Sequence, residues 1–235
     1  MEEHKKSLSN INNRISEKTR IEAISDGTFA IIITLLVLEI HRPAAIEGTM
    51  GHELLKNWPS YLAYAVAFIY VGVIWLNHHY MFLRLKETDP TFNWMNLGVL
   101  GASSLIPFPT GVLADAFKTG NLEDQKASIV LYAVIGGLMT LSWVPPCLYL
   151  SKKTNLLKDE VAPDTFKGDV KRPLTGTVFY IIGGLFGWFI HPAIAVFIFT
   201  LLILFYAWNS QGLNPQFKKI MTFKNERKTR KHTAS

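Results

Sequence analysis

The sequence predicts an all-α integral membrane protein with six transmembrane helices per subunit. Three observations carry that expectation. Long stretches hold neither lysine nor arginine although the chain has 24 of them, whereas a soluble protein scatters these residues over every surface helix. The apolar stretches form six runs that meet or approach the roughly 20 apolar residues a spanning helix needs. The basic residues between the runs fall overwhelmingly on one side of the predicted membrane. The hydrophobic share of 49% and the mean hydropathy of +0.19 agree with this but do not alone require it.

The first span runs from about Arg20 to Ile40 and is stopped by Pro43. No A-x-A cleavage pattern follows its apolar run, so it is read as retained. The second covers Asn57 to Phe82, centred on Tyr61 to Leu76. The third, Phe92 to Leu113, contains Pro107 and Pro109, which remove backbone donors and are expected to kink or end it near its far side. The fourth spans Ser128 to Leu150, with Pro145 and Pro146 near its inner end. The fifth, Leu174 to Ile190, carries Gly183 and Gly187, a small-xxx-small pair suited to close helix approach. His191-Pro192 marks a turn, and Ala193 to Trp208 forms the sixth.

Orientation follows from the connections. With six spans and an internal N-terminus, twenty Lys and Arg lie on the cytoplasmic side, against Arg42, Lys56, Lys118 and Lys126 outside. Five spans would spoil this asymmetry. The chain then divides into a basic cytoplasmic arm (1–19), a six-helix transmembrane domain (20–208) and a basic cytoplasmic tail (209–235), with both termini inside. The net charge of +6 and pI near 9.3 sit in tails and loops, which points to the anionic headgroups of a lipid bilayer rather than to nucleic acid. Cys147 is the only cysteine, so no disulfide forms within the chain and no multi-cysteine metal site exists. No nucleophile elbow, Walker loop or metal-hydrolase spacing is present, so neither an enzyme nor a cofactor is expected.

Ionisable groups inside a span are costly, about 2.5–3.5 kcal/mol each on insertion scales. The first span nevertheless carries Arg20, Glu22, Asp26 and Glu39. Glu22 and Asp26 share a face, where like charges repel, and Arg20 lies on another face. Their partners are therefore expected from neighbouring helices or subunits. Topology brings Ser25 and Asp26 to the level of Trp75, Asn77, His78 and His79 on the second span and of Asn93 and Asn96 on the third. A structural polar network across three helices, with Asp26 as shared acceptor, would satisfy these groups. A proton relay through Asp26, His78 and His79, and with it a proton-coupled secondary transporter, is the competing reading. The adjacent histidines point about 100° apart and lack companion ligands, which disfavours a structural metal site.

Ile31, Leu35 and Leu38 follow i, i+4, i+7 spacing and form one apolar stripe, with Thr34 beside it. Periodicity alone allows packing against helices or lipid, or the lining of a pore.

The run Arg20-x-x-x-Ile24-Ser25-Asp26-Gly27, followed by Phe29-Ala30-Ile31-x-x-Thr34-Leu35-Leu36-x-Leu38, resembles the first helix of the endosomal and lysosomal potassium channels, the transmembrane protein 175 family. Trp75-x-x-His78-His79 with Phe82, then Asn96-Leu97 and Pro107-Phe108-Pro109-Thr110, resemble its second and third helices. The similarity covers about Arg20 to Asp115, and the chain's length suits the bacterial members. Ile24 stands where the family motif usually has Phe. The resemblance implies a homotetramer in the bacterial inner membrane whose first helices line a cation pore without a TVGYG filter loop. It places Ile31 at the tightest point, then Leu35 and Leu38, with potassium passing transiently at Ile31 and Thr34. A ring of apolar side chains obliges an ion to shed water, which favours potassium and larger alkali cations over sodium.

Overall fold

A computed structural model describes residues 2–43, 46–162 and 164–210. Helix α1 (Glu2–Leu35) leads into a 3₁₀ turn (Leu36–Glu39). A short α2 (Met50–Lys56) precedes α3 (Trp58–Leu83), α4 (Pro90–Ser104) and α5 (Pro107–Thr119). Then come α6 (Leu122–Ser142), α7 (Val144–Lys152), a 3₁₀ turn (Thr154–Leu156), α8 (Thr165–Asp169), α9 (Lys171–Phe189) and α10 (Pro192–Asn209). Five segments among the described residues are long and apolar enough to cross a membrane: Glu17–Glu39, Trp58–Leu83, Pro90–Thr119, Leu122–Lys152 and Pro192–Asn209.

The observed elements differ from the expected spans in ways that have physical causes. The first helix begins at Glu2, well before Arg20, and residues 2–19 contain no Gly or Pro to interrupt it. At its other end the α-helix stops at Leu35 rather than Ile40; it tightens to 3₁₀ geometry and the chain becomes extended at Ile40, ahead of Pro43. The third span is two helices. Tight turns at Leu105 and Ile106 close on Ala102 and Ser103, and Pro107 and Pro109 then occupy the first turn of α5, where a missing N–H leaves nothing unsatisfied. This break lets the segment run on to Thr119, past Leu113, until Gly120 (φ 77°) ends it in the left-handed region. Likewise α6 starts at Leu122, earlier than Ser128, because Asn121 caps it by accepting from the amides of Glu123 and Asp124. It breaks at Trp143, and Pro145 and Pro146 fall in the first turn of α7. Of the expected cytoplasmic tail, residues 211–235 lie outside the described residues.

The core runs between the helices. Phe29, Ile32 and Leu36 of the first segment meet Tyr70 and Ile74 of α3 and Ile106 before α5. On the other side α9 is wedged between α6 and α10. A side-chain carbon at Gly183 would strike Phe199 of α10, and one at Gly187 would strike Ile129 of α6 and Ala195 of α10. The glycine pair therefore lets three backbones approach, and Gly136 does the same for α6 beneath Tyr180. Replacing Gly187 by Val is expected to lower stability by about 1–3 kcal/mol through overpacking. Gly98→Ala, where the added carbon meets nothing among the described residues, should be neutral or stabilising. Thermal unfolding in detergent checks both; equal melting temperatures for the two variants would refute the packing account.

A second, smaller cluster closes one end of the bundle. Phe82, Leu85 and Phe92 pack with Leu150, Leu156 and Phe166, and the α3–α4 loop pairs with residues 156–158 through Lys86 N–H to Leu156 C=O (2.8 Å) and Lys158 N–H to Arg84 C=O (3.0 Å). Arg84 is buried there, donates to Asp169 at 2.5 Å and lies 5.2 Å from the Phe166 ring centroid. Asp89 caps α4 through the Phe92 amide and also accepts from the Tyr149 hydroxyl.

Candidate functional site

Helix α1 presents two unlike faces. Ser25, Phe29, Ile32 and Leu36, spaced by four, three and four residues, are buried against the rest of the chain. The opposite face is apolar yet uncovered: Ile31 is 60% exposed, Leu35 40% and Leu38 68%, with Ile24 continuing the stripe toward the N-terminus. Leu38 sits in the 3₁₀ turn, where side chains three apart eclipse, so it stands nearly above Leu35 instead of drifting around the helix. Thr34 is exposed beside the stripe and donates its proton to the Ile31 carbonyl (2.8 Å), leaving oxygen lone pairs facing outward. Arg42 lies beyond the 3₁₀ turn and does not extend the stripe.

Behind the stripe, polar side chains of three helices meet in two separate chains of bonds. Asn96 of α4, itself buried, donates to Ser25 Oγ of α1 at 3.0 Å. Ser25 in turn donates to the Ile21 carbonyl at 2.8 Å. The Asn96 Oδ1 then faces His78 Nε2 of α3 at 2.7 Å, which requires that Nε2 carry the imidazole proton. His78 is fully buried and packed by Phe29, Phe82 and Trp143. The second chain is shorter: Trp75 Nε1–H donates to Asp26 Oδ1 at 2.9 Å.

Asp26 is thus not the shared acceptor expected from the sequence. Asn96 holds that position, because its amide both donates and accepts and can join Ser25 to His78. Asn77 stays out of the network and donates to Val73 C=O on its own helix (2.9 Å). His79 turns the other way, stacks on Trp75 and lies 3.8 Å from Glu22. Glu22 also has Lys18 at 3.8 Å one turn earlier, so part of its compensation comes from α1 itself. Arg20 is exposed and forms no ion pair with a described residue. Asn93 is part of neither chain of bonds, and its Oδ1 is buried without a partner among the described residues. Near the other end of α1, Glu39 lies against Gly111 and His41 is 3.5 Å from Asp115. Sequence reasoning missed these and the Arg84–Asp169 pair, which joins residues 85 apart and leaves no trace in local periodicity.

An all-helical bundle with several long apolar helices, the first tied to its neighbours by buried amide, hydroxyl and imidazole groups, defines a polytopic membrane protein. The family model described as the endosomal/lysosomal potassium channel TMEM175 matches residues 20–107. A protein of Streptomyces collinus named as a potassium channel is 32% identical over 197 residues, covering 83% of this chain and 94% of that one. The crystal structure of a lysosomal potassium-selective channel TMEM175 homolog from Chamaesiphon minutus superposes with a TM-score of 0.71 at 30% identity, covering 83% of this chain and 98% of that one. A Danio rerio protein named as an endosomal/lysosomal proton channel is 35% identical over 100 residues, 37% of this chain and 19% of its own length. The chain belongs to the TMEM175 family of membrane channels.

Proposed function

We propose that the chain is a potassium-permeable channel whose pore is lined by α1. The observation that carries this reading is the uncovered stripe of Ile31, Leu35 and Leu38, in a chain whose full-length Streptomyces relative is named as a potassium channel. A Leu and Ile face left bare by every other helix of its own chain is accounted for by other copies of the same face. Four subunits around one axis would turn the stripe into stacked apolar rings, with Ile31 narrowest. Such rings exclude water and select the cation that sheds its hydration most cheaply, which places potassium and larger alkali ions ahead of sodium. The Thr34 oxygens, beside the Ile31 ring, offer the ion transient contact.

In this reading α9 is a sixth span. Its 19 residues measure about 28 Å, close to the hydrocarbon thickness, and Lys171 and Arg172 stand at its inner end. Six crossings put both termini in the cytoplasm and the basic connections on the inner face, in keeping with the twenty-to-four division of Lys and Arg. The setting is the bacterial inner membrane. The polar network holds α1 against α3 and α4, so that its other face keeps a fixed angle to the axis.

The bonding pattern argues against a proton relay through Asp26, His78 and His79. Asp26 is bonded to an indole N–H, which donates but cannot accept, so no proton can be handed on through Trp75. Reconstitution into proteoliposomes tests the function. The expected result is a passive potassium flux that rises linearly with the gradient, exceeds sodium flux, and needs no pH difference. A saturable flux that stops when the pH gradient is collapsed would establish a transporter instead.

A further inference from the structure

A cleft separate from the pore-lining stripe opens between α3, α6, α9 and α10 and encloses about 110 Å³. Its deep wall is apolar, built from Tyr70, Val73, Ile74 and Met139. Phe205 of α10 also lines it and is 51% exposed, so the cleft reaches the outer surface of the bundle where a membrane helix meets lipid. Trp208, one turn further on and highly exposed, is the residue type that settles at the headgroup level.

Asn77 and Thr140 also line the cleft and donate to Val73 C=O and Gly137 C=O, while the charged groups gather at the other end. Arg84 and Asp169 line it but neutralise each other. Arg172 lines it too, and no carboxylate among the described residues pairs with it. Tyr206 of α10 donates its hydroxyl proton to the Arg172 backbone carbonyl at 2.7 Å and pins that turn of α9 over the cleft. Asn209 spends one amide proton on Phe205 C=O and keeps the second. One unmatched guanidinium and a spare amide donor therefore stand above an apolar slot that is open toward lipid.

We infer that this cleft binds an anionic phospholipid of the inner leaflet, its phosphate on Arg172 and Asn209 and part of an acyl chain between Tyr70, Ile74 and Met139. The guanidinium fork matches phosphate oxygens, and a phosphodiester offers enough acceptors for both donors. The inner leaflet is the anionic one, and its negative surface potential draws lipids of this charge to basic residues at that level. The inference rests on the channel reading for the leaflet alone.

Native mass spectrometry of the purified full chain, titrated with phosphatidylglycerol or phosphatidylcholine, measures the site without ion flux. Phosphatidylglycerol should bind about tenfold more tightly, because the fixed positive charge of the choline headgroup offsets the attraction of the shared phosphate to Arg172. Arg172→Gln should abolish that preference, Arg172→Lys should retain part of it, and Lys171→Gln, next in sequence but outside the cleft, should leave it intact. Phosphatidylglycerol with brominated chains should also quench fluorescence more than the brominated choline lipid, and the excess should vanish in Trp143→Phe, since Trp143 lines the cleft. Equal affinity for the two lipids, or an equal loss in the Lys171 and Arg172 variants, overturns the site. Preferential binding of oleate, or displacement of the lipid by inorganic phosphate, overturns the phospholipid assignment. A chain that binds lipid as expected but passes no potassium would refute the channel reading and leave this one standing.

Discussion

Replacing Ile31 with Asn is expected to raise potassium flux through reconstituted channels by about tenfold or more and to move the potassium-to-sodium ratio toward unity. The barrier at an apolar ring is the free energy of pulling water from an ion with nothing offered in return. An amide at that position supplies oxygens to the ion and holds water in the constriction. Each lowering of the barrier by about 1.4 kcal/mol multiplies the rate tenfold, and in the proposed four-subunit assembly four amides would act on the same ion at once. Sodium gains most, because its hydration is the harder to remove. Flux of both ions in proteoliposomes, measured at equal protein density, checks this. If conductance and selectivity are unchanged, Ile31 does not face the ion path.

Asn96→Leu should destabilise the assembled protein by about 1–3 kcal/mol, the desolvation of a buried group left without its partner. His78 would then be fully buried with neither ring nitrogen bonded among the described residues, since its Nδ1 already lacks a partner. Ser25 would suffer less, because it still donates to Ile21 C=O. The sign of the effect distinguishes a structural network from a functional one when the double variant His78→Leu, Asn96→Leu is added. Removing both partners takes away the orphan, so the double variant should recover most of the melting temperature. Additive losses in the two variants would show that the 2.7 Å contact between them carries no coupling. Interhelical hydrogen bonds in membranes average only about 0.6 kcal/mol, so a larger measured coupling would mark this one as unusually well shielded.

Much of this was legible in the sequence because the relevant forces act locally along a helix. The ~30 Å thickness of the bilayer fixes how long an apolar run must be, so the segments around α1, α3 and α10 stood out. Their ends were less visible. Pro107 and Pro109 read as a kink or an end of the third span, and Pro145 and Pro146 only as a feature near the inner end of the fourth. In the fold they are restarts, because proline in a first turn leaves no backbone donor unsatisfied. Gly183 and Gly187 announced a close approach but not its partners, Phe199, Ile129 and Ala195.

The same division runs through the polar groups. That Ser25, Asp26, Trp75, His78 and Asn96 should meet follows from depth, since spans one, two and three alternate direction and charged or amide groups cannot be left bare in lipid. Which atom bonds which does not follow from depth. It depends on the rotation of each helix about its axis, and that is set by packing of Phe29 and Ile32 against α3. Rotation gave Asn96, not Asp26, the bridging place and turned Asn77 toward its own backbone and the lipid cleft.

By itself the amino-acid sequence determined that the chain lives in a bilayer and approximately where its apolar segments lie. Those properties depend on residue type and spacing along one chain. Only the tertiary structure decided that Ile31, Leu35 and Leu38 are left uncovered while Phe29, Ile32 and Leu36 are buried, and that Arg84 finds Asp169 across 85 residues. Burial is a property of neighbours brought together in space, and periodicity can name the faces of a helix without saying which of them its own chain will cover.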